Sequence, residues 1–255
     1  MTKNTTLKKS IQTALIVAMA LVLRQFGYMV MIGGGTGMRI SPSIFISRLP
    51  AVLFGPLYGG ITSGLIDVLG MIIKPEGAWI PALTLSSIFG GVLAGFMWKL
   101  VKNISTKILR RIILLLFVLT GLIGTGLHIT VLFYGHSLLG QFLLSLKKIS
   151  FWTVGLEIIA GAGLLILLLE YVLSRKNAKF PVENFINLFT AMFVANVFVT
   201  TVNTFVLMHF IPVLAKSGFW VFYVPRLIEE IISTILQCFV MSYLIKLYNN
   251  TLKNG

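Results

Sequence analysis

IFISRLPAVLFGPLYGGITSGLIDVLGMIIKPEGAWIPALTLSSIFGGVLAG, Ile44 to Gly95, is a series of long apolar runs cut by Pro50, Pro56, Pro75 and Pro81. Glycines recur in it at helix-packing spacing, and isolated charges stand at Arg48, Asp67 and Lys74. In water so many apolar residues would need one very large core. In a bilayer the same pattern reads as three packed helices with a few polar positions set among them.

The rest of the chain extends that reading. Of its 255 residues, 57% are hydrophobic and only 11% are charged, and the mean hydropathy is +0.96. A soluble surface cannot be built from so few charges, whereas several runs reach the ~20 residues that a ~30 Å hydrocarbon layer requires. The N-terminal leader is short and basic and runs into a full-length span without a small-residue cleavage site. It is expected to be a cytoplasmic tail rather than a cleaved signal. A net charge of +14 would suit nucleic acid if gathered on a water-facing surface, but here the charges cluster between apolar runs. The single cysteine, Cys238, lies within an apolar run and reads as a packed thiol, which leaves no disulfide framework and no cysteine-rich metal site.

Eight spans are expected. The first runs from about Ile11 to Ile32 and carries Ala14 and Ala18 one turn apart, a small-residue face that another helix can approach closely. Arg24 in its outer half should turn inward to a partner or snorkel to the headgroups. GGGTGMRISPS, residues 33–43, is too rich in glycine for a stable helix and reads as either a flap over a site or a plain flexible connection. A short second span, about Pro42 to Phe54, and a third, about Tyr58 to Ile73, meet at Gly55–Pro56. The third pairs Gly60 with Gly64 and carries Asp67, for which Arg24 and Arg48 are both candidate partners. A turn with Trp79 at interfacial level leads into the fourth span, about Ala82 to Val101, whose Thr84, Ser86 and Ser87 are expected chiefly as helix caps. The fifth (about Ile112 to Tyr134) holds His128 and the sixth (about Phe151 to Leu173) holds Glu157. The seventh (about Phe185 to Leu214) carries Asn196, Asn203 and His209. The eighth (about Phe222 to Leu247) opens with Arg226, Glu229 and Glu230, of which Arg226 and Glu230 are spaced to pair.

With eight spans and the N-terminus inside, thirteen of the 21 Lys and Arg fall on inner segments, which puts both termini in the cytoplasm. Arg24, Arg39, Arg48, Lys74 and Arg226 then gather in the outer half, near Tyr28, Trp79 and Asn203. A cavity there would be positive, aromatic-lined and covered by the glycine-rich segment. It would suit a small planar or anionic solute, because guanidinium pairs bidentately with carboxylate or phosphate and stacks on rings. Arg39, Arg48 and Arg226 are the expected anion contacts, Trp79 the stacking surface and Asn203 a polar wall. Lys74, Lys147, Lys148 and Lys216 are expected only to anchor helix ends at the headgroups.

No catalytic or cofactor motif accompanies these residues. The chain has no G-x-x-x-x-G-K-[ST] phosphate loop, no H-E-x-x-H, no G-x-S-x-G and no closely spaced metal-ligand set, and His128, His136 and His209 are scattered.

Several segments together carry a family likeness. Ala14-x-x-x-Ala18, FGPLYGG at Phe54 to Gly60, Gly64 with Asp67, the K-P-E-G turn, PALTLSSIFGGVLAG at Pro81 to Gly95, and VNT at Val202 to Thr204 followed by Arg226 resemble the substrate-binding S component of energy-coupling-factor (ECF) vitamin importers, the folate-type group most. The likeness is good over residues 8–101 and looser over 185–247. It implies a six-helix core with an outward cavity under the first loop, no cofactor, and association with a membrane coupling subunit and two ATPase subunits. It further implies that Ala14 and Ala18 face the coupling subunit, that the segment from Gly33 to Ser43 gates the cavity, and that Asn203 and Arg226 stand in its wall.

The expected protein is therefore an all-α, polytopic membrane protein forming a single domain, with about eight helices: the six-helix core plus a hairpin inserted at about residues 108–174. It would capture a vitamin-like solute outside the cell, folate first and then cobalamin or another heterocyclic vitamin, without being an enzyme. The alternatives are a self-sufficient secondary transporter, against which stands the lack of a repeat between the halves, and a membrane enzyme or scaffold.

Overall fold

Proline and glycine punctuate the helices where the sequence places them. The structure, a computed structural model, describes residues 2–32, 35–75, 77–134, 136, 137, 141, 149–176 and 185–254. Helix α1 (Thr2–Gln25) is followed by strands β1 (Tyr28–Ile32) and β2 (Gly35–Ile40), then by α2 (Ile44–Ser47), α3 (Leu49–Phe54), α4 (Pro56–Ile73) and α5 (Pro81–Val101). After these come α6 (Thr106–Phe133), α7 (Ile149–Lys176), α8 (Phe185–Phe210), α9 (Pro212–Ser217) and α10 (Phe219–Asn254). Pro56 and Pro81 are the first residues of α4 and α5, where a missing N–H costs nothing, and Gly55 before Pro56 takes φ 103°.

The chain is a polytopic helical membrane protein. Among the described residues six helices are long and apolar enough to cross a bilayer: Thr5–Gln25, Pro56–Ile73, Pro81–Val101, Thr106–Phe133, Phe185–Phe210 and Phe219–Thr251. One of the expected spans is shorter: the second is the broken pair α2 and α3, interrupted at Arg48 just before Pro50, whose missing N–H cannot continue a helix. The sixth expected span lies within the 28-residue α7. The first span also ends earlier than expected. Lys74 donates to the carbonyls of Gln25 (3.1 Å) and Gly27 (2.7 Å), so it caps the C-terminus of α1 instead of anchoring at headgroups. Beyond that cap, Tyr28–Ile32 is a strand rather than helix. It pairs antiparallel with Gly35–Ile40, Tyr28 opposite Ile40 and Met29 opposite Arg39, with a bulge at Val30/Met31. The glycine-rich segment is thus half of a β-hairpin, apart from Gly33 and Gly34, which lie outside the described residues. So do Glu76 of the K-P-E-G turn, Lys147, Lys148 and residues 177–184.

The chain divides into two compact units, residues 1–104 with 183–255, and residues 105–182. In the first, α4 packs on α5, α5 on α8 and α8 on α10, while α1 packs on α4 and α2 packs on α10. The contact of α4 with α5 is backbone-close. A Cβ on Gly59 would lie 2.4 Å from the Gly91 carbonyl oxygen, and one on Gly91 would lie 2.2 Å from that of Gly59. Helix α8 supplies much of the buried interior through Phe185, Ile186, Leu188, Phe189 and Met192. Its buried Asn187 donates to the last carbonyl of α5, Val101 (2.7 Å), and to that of Ile104 (2.8 Å) in the turn beyond it. Deeper along α8, Asn196 donates to Thr234 (3.0 Å) and Gln237 (2.9 Å) of α10. Gln237 in turn donates to the Ile44 carbonyl (2.7 Å), which fastens the short α2. The outward faces of α4 and α5 expose Leu57, Ile72, Leu85 and Phe89, a surface stable only against lipid.

The second unit is the pair α6 and α7. The Phe117 ring fills the notch at Gly163, where a Cβ would lie 2.3 Å from it, and Gly121 faces Ala160. Along the same seam His128 Nδ1 meets Glu157 Oε1 at 3.1 Å, so the isolated polar residues of the fifth and sixth spans are partners of each other.

Candidate functional site

In the first unit, α1, the hairpin, α2, α4, α5 and α10 enclose a cavity of about 400 Å³. Its wall is polar for a membrane interior. Arg24, Arg39 and Arg48 bring positive charge and Asp67 and Glu229 bring negative. Serine hydroxyls come from Ser41, Ser43, Ser47, Ser63, Ser87 and Ser233, and the apolar and aromatic part of the lining includes Phe26, Tyr28, Phe45 and Leu236. A charge at membrane depth is tolerated only with partners, and Arg24, Arg48 and Asp67 find theirs on neighbouring helices.

Arg24, only 7% exposed, donates from Nη1 to the Ile66 carbonyl (3.1 Å) and lies 3.7 Å from Asp67 Oδ1. Of the two candidate partners for Asp67, the fold selects Arg24. Gly70 leaves room for it, since a Cβ there would sit 2.2 Å from Arg24 Nε. The other oxygen of Asp67 accepts from Thr84 Oγ1 (2.7 Å), which accepts from Trp79 Nε1 (3.0 Å). Arg48 is buried at the break between α2 and α3, and it donates to Ser63 Oγ (2.9 Å) and to the Ser87 carbonyl (3.3 Å). The notch at Gly90 accommodates it, because a Cβ there would lie 2.8 Å from Arg48 Nη2 and 2.2 Å from Val199. On β2, Arg39 reaches the same cavity, and its pKa is pushed down to about 10 by burial and by the like charge of Arg24, partly offset by Asp67. It therefore remains a cation at neutral pH.

Thr84 and Ser86 are not helix caps. The residue before α5 is Ile80, with no side-chain cap, and both hydroxyls bridge between helices: Thr84 to Asp67 of α4, and Ser86 to Asn203 of α8. Pro81 removes one of the N–H groups a cap would have served.

The structure brings together Arg24, Arg39, Arg48 and Asp67. Trp79, Asn203 and Arg226 are not among the residues that line the cavity. Trp79 is 57% exposed and reaches the site only through Thr84. Asn203 accepts the Ser86 hydroxyl, and the Arg226 guanidinium lies 5.0 Å over the Phe222 ring. Glu230, spaced to pair with Arg226, accepts the Thr200 hydroxyl. Ala14 and Ala18 are exposed on the surface of α1. Sequence reasoning gave no site role to Glu229 and Ser233, one turn apart on α10, where the hydroxyl donates to Glu229 Oε1 (2.6 Å). Their signal was the i, i+4 spacing of two polar groups in an apolar helix. Among the described residues no group of three or more His, Cys, Asp or Glu could hold a metal ion.

Apolar outer faces around a charged chamber define a helical membrane protein with a polar cavity among its helices. Residues 4–174 match the model of the family described as ECF-type riboflavin transporter, S component, and the chain belongs to that family. It is also 35% identical over 91 residues to the folate transporter FolT of Clostridium novyi (strain NT), a stretch covering 35% of this chain and 50% of that protein. The chain thus spans about half the length of this curated relative. No solved structure matches it.

Proposed function

We propose that the protein is the substrate-binding subunit of an ATP-driven ECF importer and that it captures a folate-type vitamin from outside the cell. The observation that carries this reading is the convergence of Arg24, Arg39 and Arg48 on one chamber of about 400 Å³. Three guanidinium groups against the two carboxylates Asp67 and Glu229 leave the wall net positive, which favours an anionic ligand. Folate carries carboxylates, whereas riboflavin, the vitamin in the family's description, is uncharged; the likeness to FolT points the same way. Arg39 and Arg48 hold the anionic end. The hairpin, which contributes Tyr28, Arg39 and Ile40 to the lining, acts as the gate, its closed form favoured by ligand.

In this reading both termini are cytoplasmic and the chamber opens outward. The exposed Ala14 and Ala18 of α1 dock the coupling subunit, which joins two ATPase subunits. Residues 1–104 and 183–255 form the core that binds, and the α6 and α7 pair is an addition to it. Trp79, Asn203 and Arg226 serve as supports for the wall, through Thr84, Ser86 and Phe222.

The test is a binding titration of purified protein in lipid nanodiscs with folate and with riboflavin. Folate should bind at micromolar affinity or tighter. Arg39→Ala and Arg48→Ala should each weaken it by roughly 1.5–3 kcal/mol, the worth of a charge-assisted hydrogen bond. Normal folate binding by both variants would overturn the anion-binding chamber. Co-purification with ATPase subunits separates this reading from a self-sufficient transporter, an enzyme or a scaffold.

A further inference from the structure

The two carboxylates of the chamber are not equivalent. Asp67 is used up by the protein, one oxygen accepting from Thr84 and the other facing Arg24. Glu229 has one oxygen held by Ser233, and among the described residues its Oε2 has no hydrogen-bond donor. A carboxylate that lines a chamber inside a membrane with one oxygen unengaged is costly unless something else donates to it. Its surroundings are also different. Arg24, Arg39 and Asp67 belong to α1, β2 and α4, whereas Glu229 and Ser233 stand on α10 next to Leu236, which is 51% exposed, and Phe45 also lines the chamber. One wall therefore offers cationic donors. The other, on α10, offers an anionic acceptor beside apolar surface, with the Arg226 cation one turn before it on the same helix.

We infer that Glu229 reads the donor edge of a planar nitrogen heterocycle, so the ligand class is an amino-substituted ring of the 2-amino-pyrimidinone kind that carries a carboxylate elsewhere in the molecule. This rests on the importer reading above and narrows it. An ionised carboxylate accepts two N–H bonds from one side, which matches an exocyclic amine next to a ring N–H. A ring edge whose single N–H is flanked by two carbonyls, as in a flavin, would present an oxygen to Glu229 and be repelled. The serine hydroxyl at position 233 fixes the carboxylate as a positioning residue, since it can turn its own lone pairs elsewhere while donating to Oε1.

The experiment is a chemical double-mutant cycle on the full chain in nanodiscs. It pairs wild type and Glu229→Gln with folate and a folate analogue in which a methyl group replaces the 2-amino group. Glutamine keeps the size of the side chain but puts an amide N–H₂ where an acceptor stood. Wild type should prefer folate over the analogue by about 10- to 100-fold, the range of one charge-assisted bond. Glu229→Gln should lose that preference, binding both about as weakly as wild type binds the analogue. Equal unfolding midpoints for the two proteins would confirm that the fold is kept. If the preference survives in Glu229→Gln, or wild type shows none, Glu229 does not read the ring and the inference fails while folate capture stands. If wild type binds no folate at all, the importer reading fails as well.

Discussion

At the level of single residues, two glycines decide where the arginines can go. Gly90 and Gly70 sit where a Cβ would collide with Arg48 and with Arg24, and the colliding groups are buried. Gly90→Ala should therefore displace the Arg48 guanidinium from Ser63 and Ser87. The expected result is a loss of about 1–3 kcal/mol of stability from overpacking, with ligand affinity down several-fold, read by thermal unfolding and by titration. Arg24→Ala should be worse for stability than for binding. It leaves Asp67, half-buried and facing the chamber, without its cation, and breaking a buried pair costs about 3–5 kcal/mol, less here because Asp67 is partly exposed. The companion Arg24→Ala/Asp67→Asn variant should recover part of that loss, and an unfolding series that shows no recovery would mean the pair is not coupled. Burial pushes Arg39 down to about 10, still well above neutrality, so it keeps its charge across the physiological pH range. Ligand affinity should hold steady from weakly acidic to weakly basic pH, which a titration series checks directly.

At the level of elements, the short α2 and the end of α1 are fastened by side chains from elsewhere in the fold in addition to their own backbone hydrogen bonds. Asn196→Ala removes the donor to Thr234 and Gln237, and Gln237 is the group that holds the Ile44 carbonyl. It should cost about 1–3 kcal/mol, the penalty for leaving buried polar groups unmet. Hydrogen exchange should rise around residues 44–47. Lys74→Met should free the last carbonyls of α1 for about 0.3–1 kcal/mol. Exchange should then quicken at Gly27 and in the hairpin, with the rest of α4 unchanged. Much of this was legible in the sequence: the prolines at the starts of α4 and α5, the Gly60 and Gly64 spacing that faces Ile88 and Val92 of α5, and the buried Cys238. The hairpin was not. Tyr28–Ile32 is apolar enough to continue a transmembrane helix, and only the capped end of α1 and the glycines that follow turn it into a strand.

At the level of the molecule, the prediction concerns what binds the outside of α1. Ala14→Trp and Ala18→Trp change exposed positions, so folate binding and unfolding should be unchanged while co-purification with a coupling subunit is lost. Retained co-purification would move the docking surface elsewhere. By itself the sequence determined the solvent, the helical class and the family, because hydropathy, spacing and punctuation are local properties of the chain. The three arginines that meet could be named from it as candidates, since a charge in an apolar run must face protein. Only the tertiary structure decided that Asp67 belongs to Arg24 and that Arg48 belongs to Ser63 and Ser87. It also placed Glu229 in the chamber and Trp79, Asn203 and Arg226 outside its lining. The physical reason is that such pairings join residues on different helices, Arg24 to Ile66 across 42 positions and Ser86 to Asn203 across 117. They are fixed by which helices are neighbours and how closely glycine lets them approach, and no periodicity along one segment carries that information.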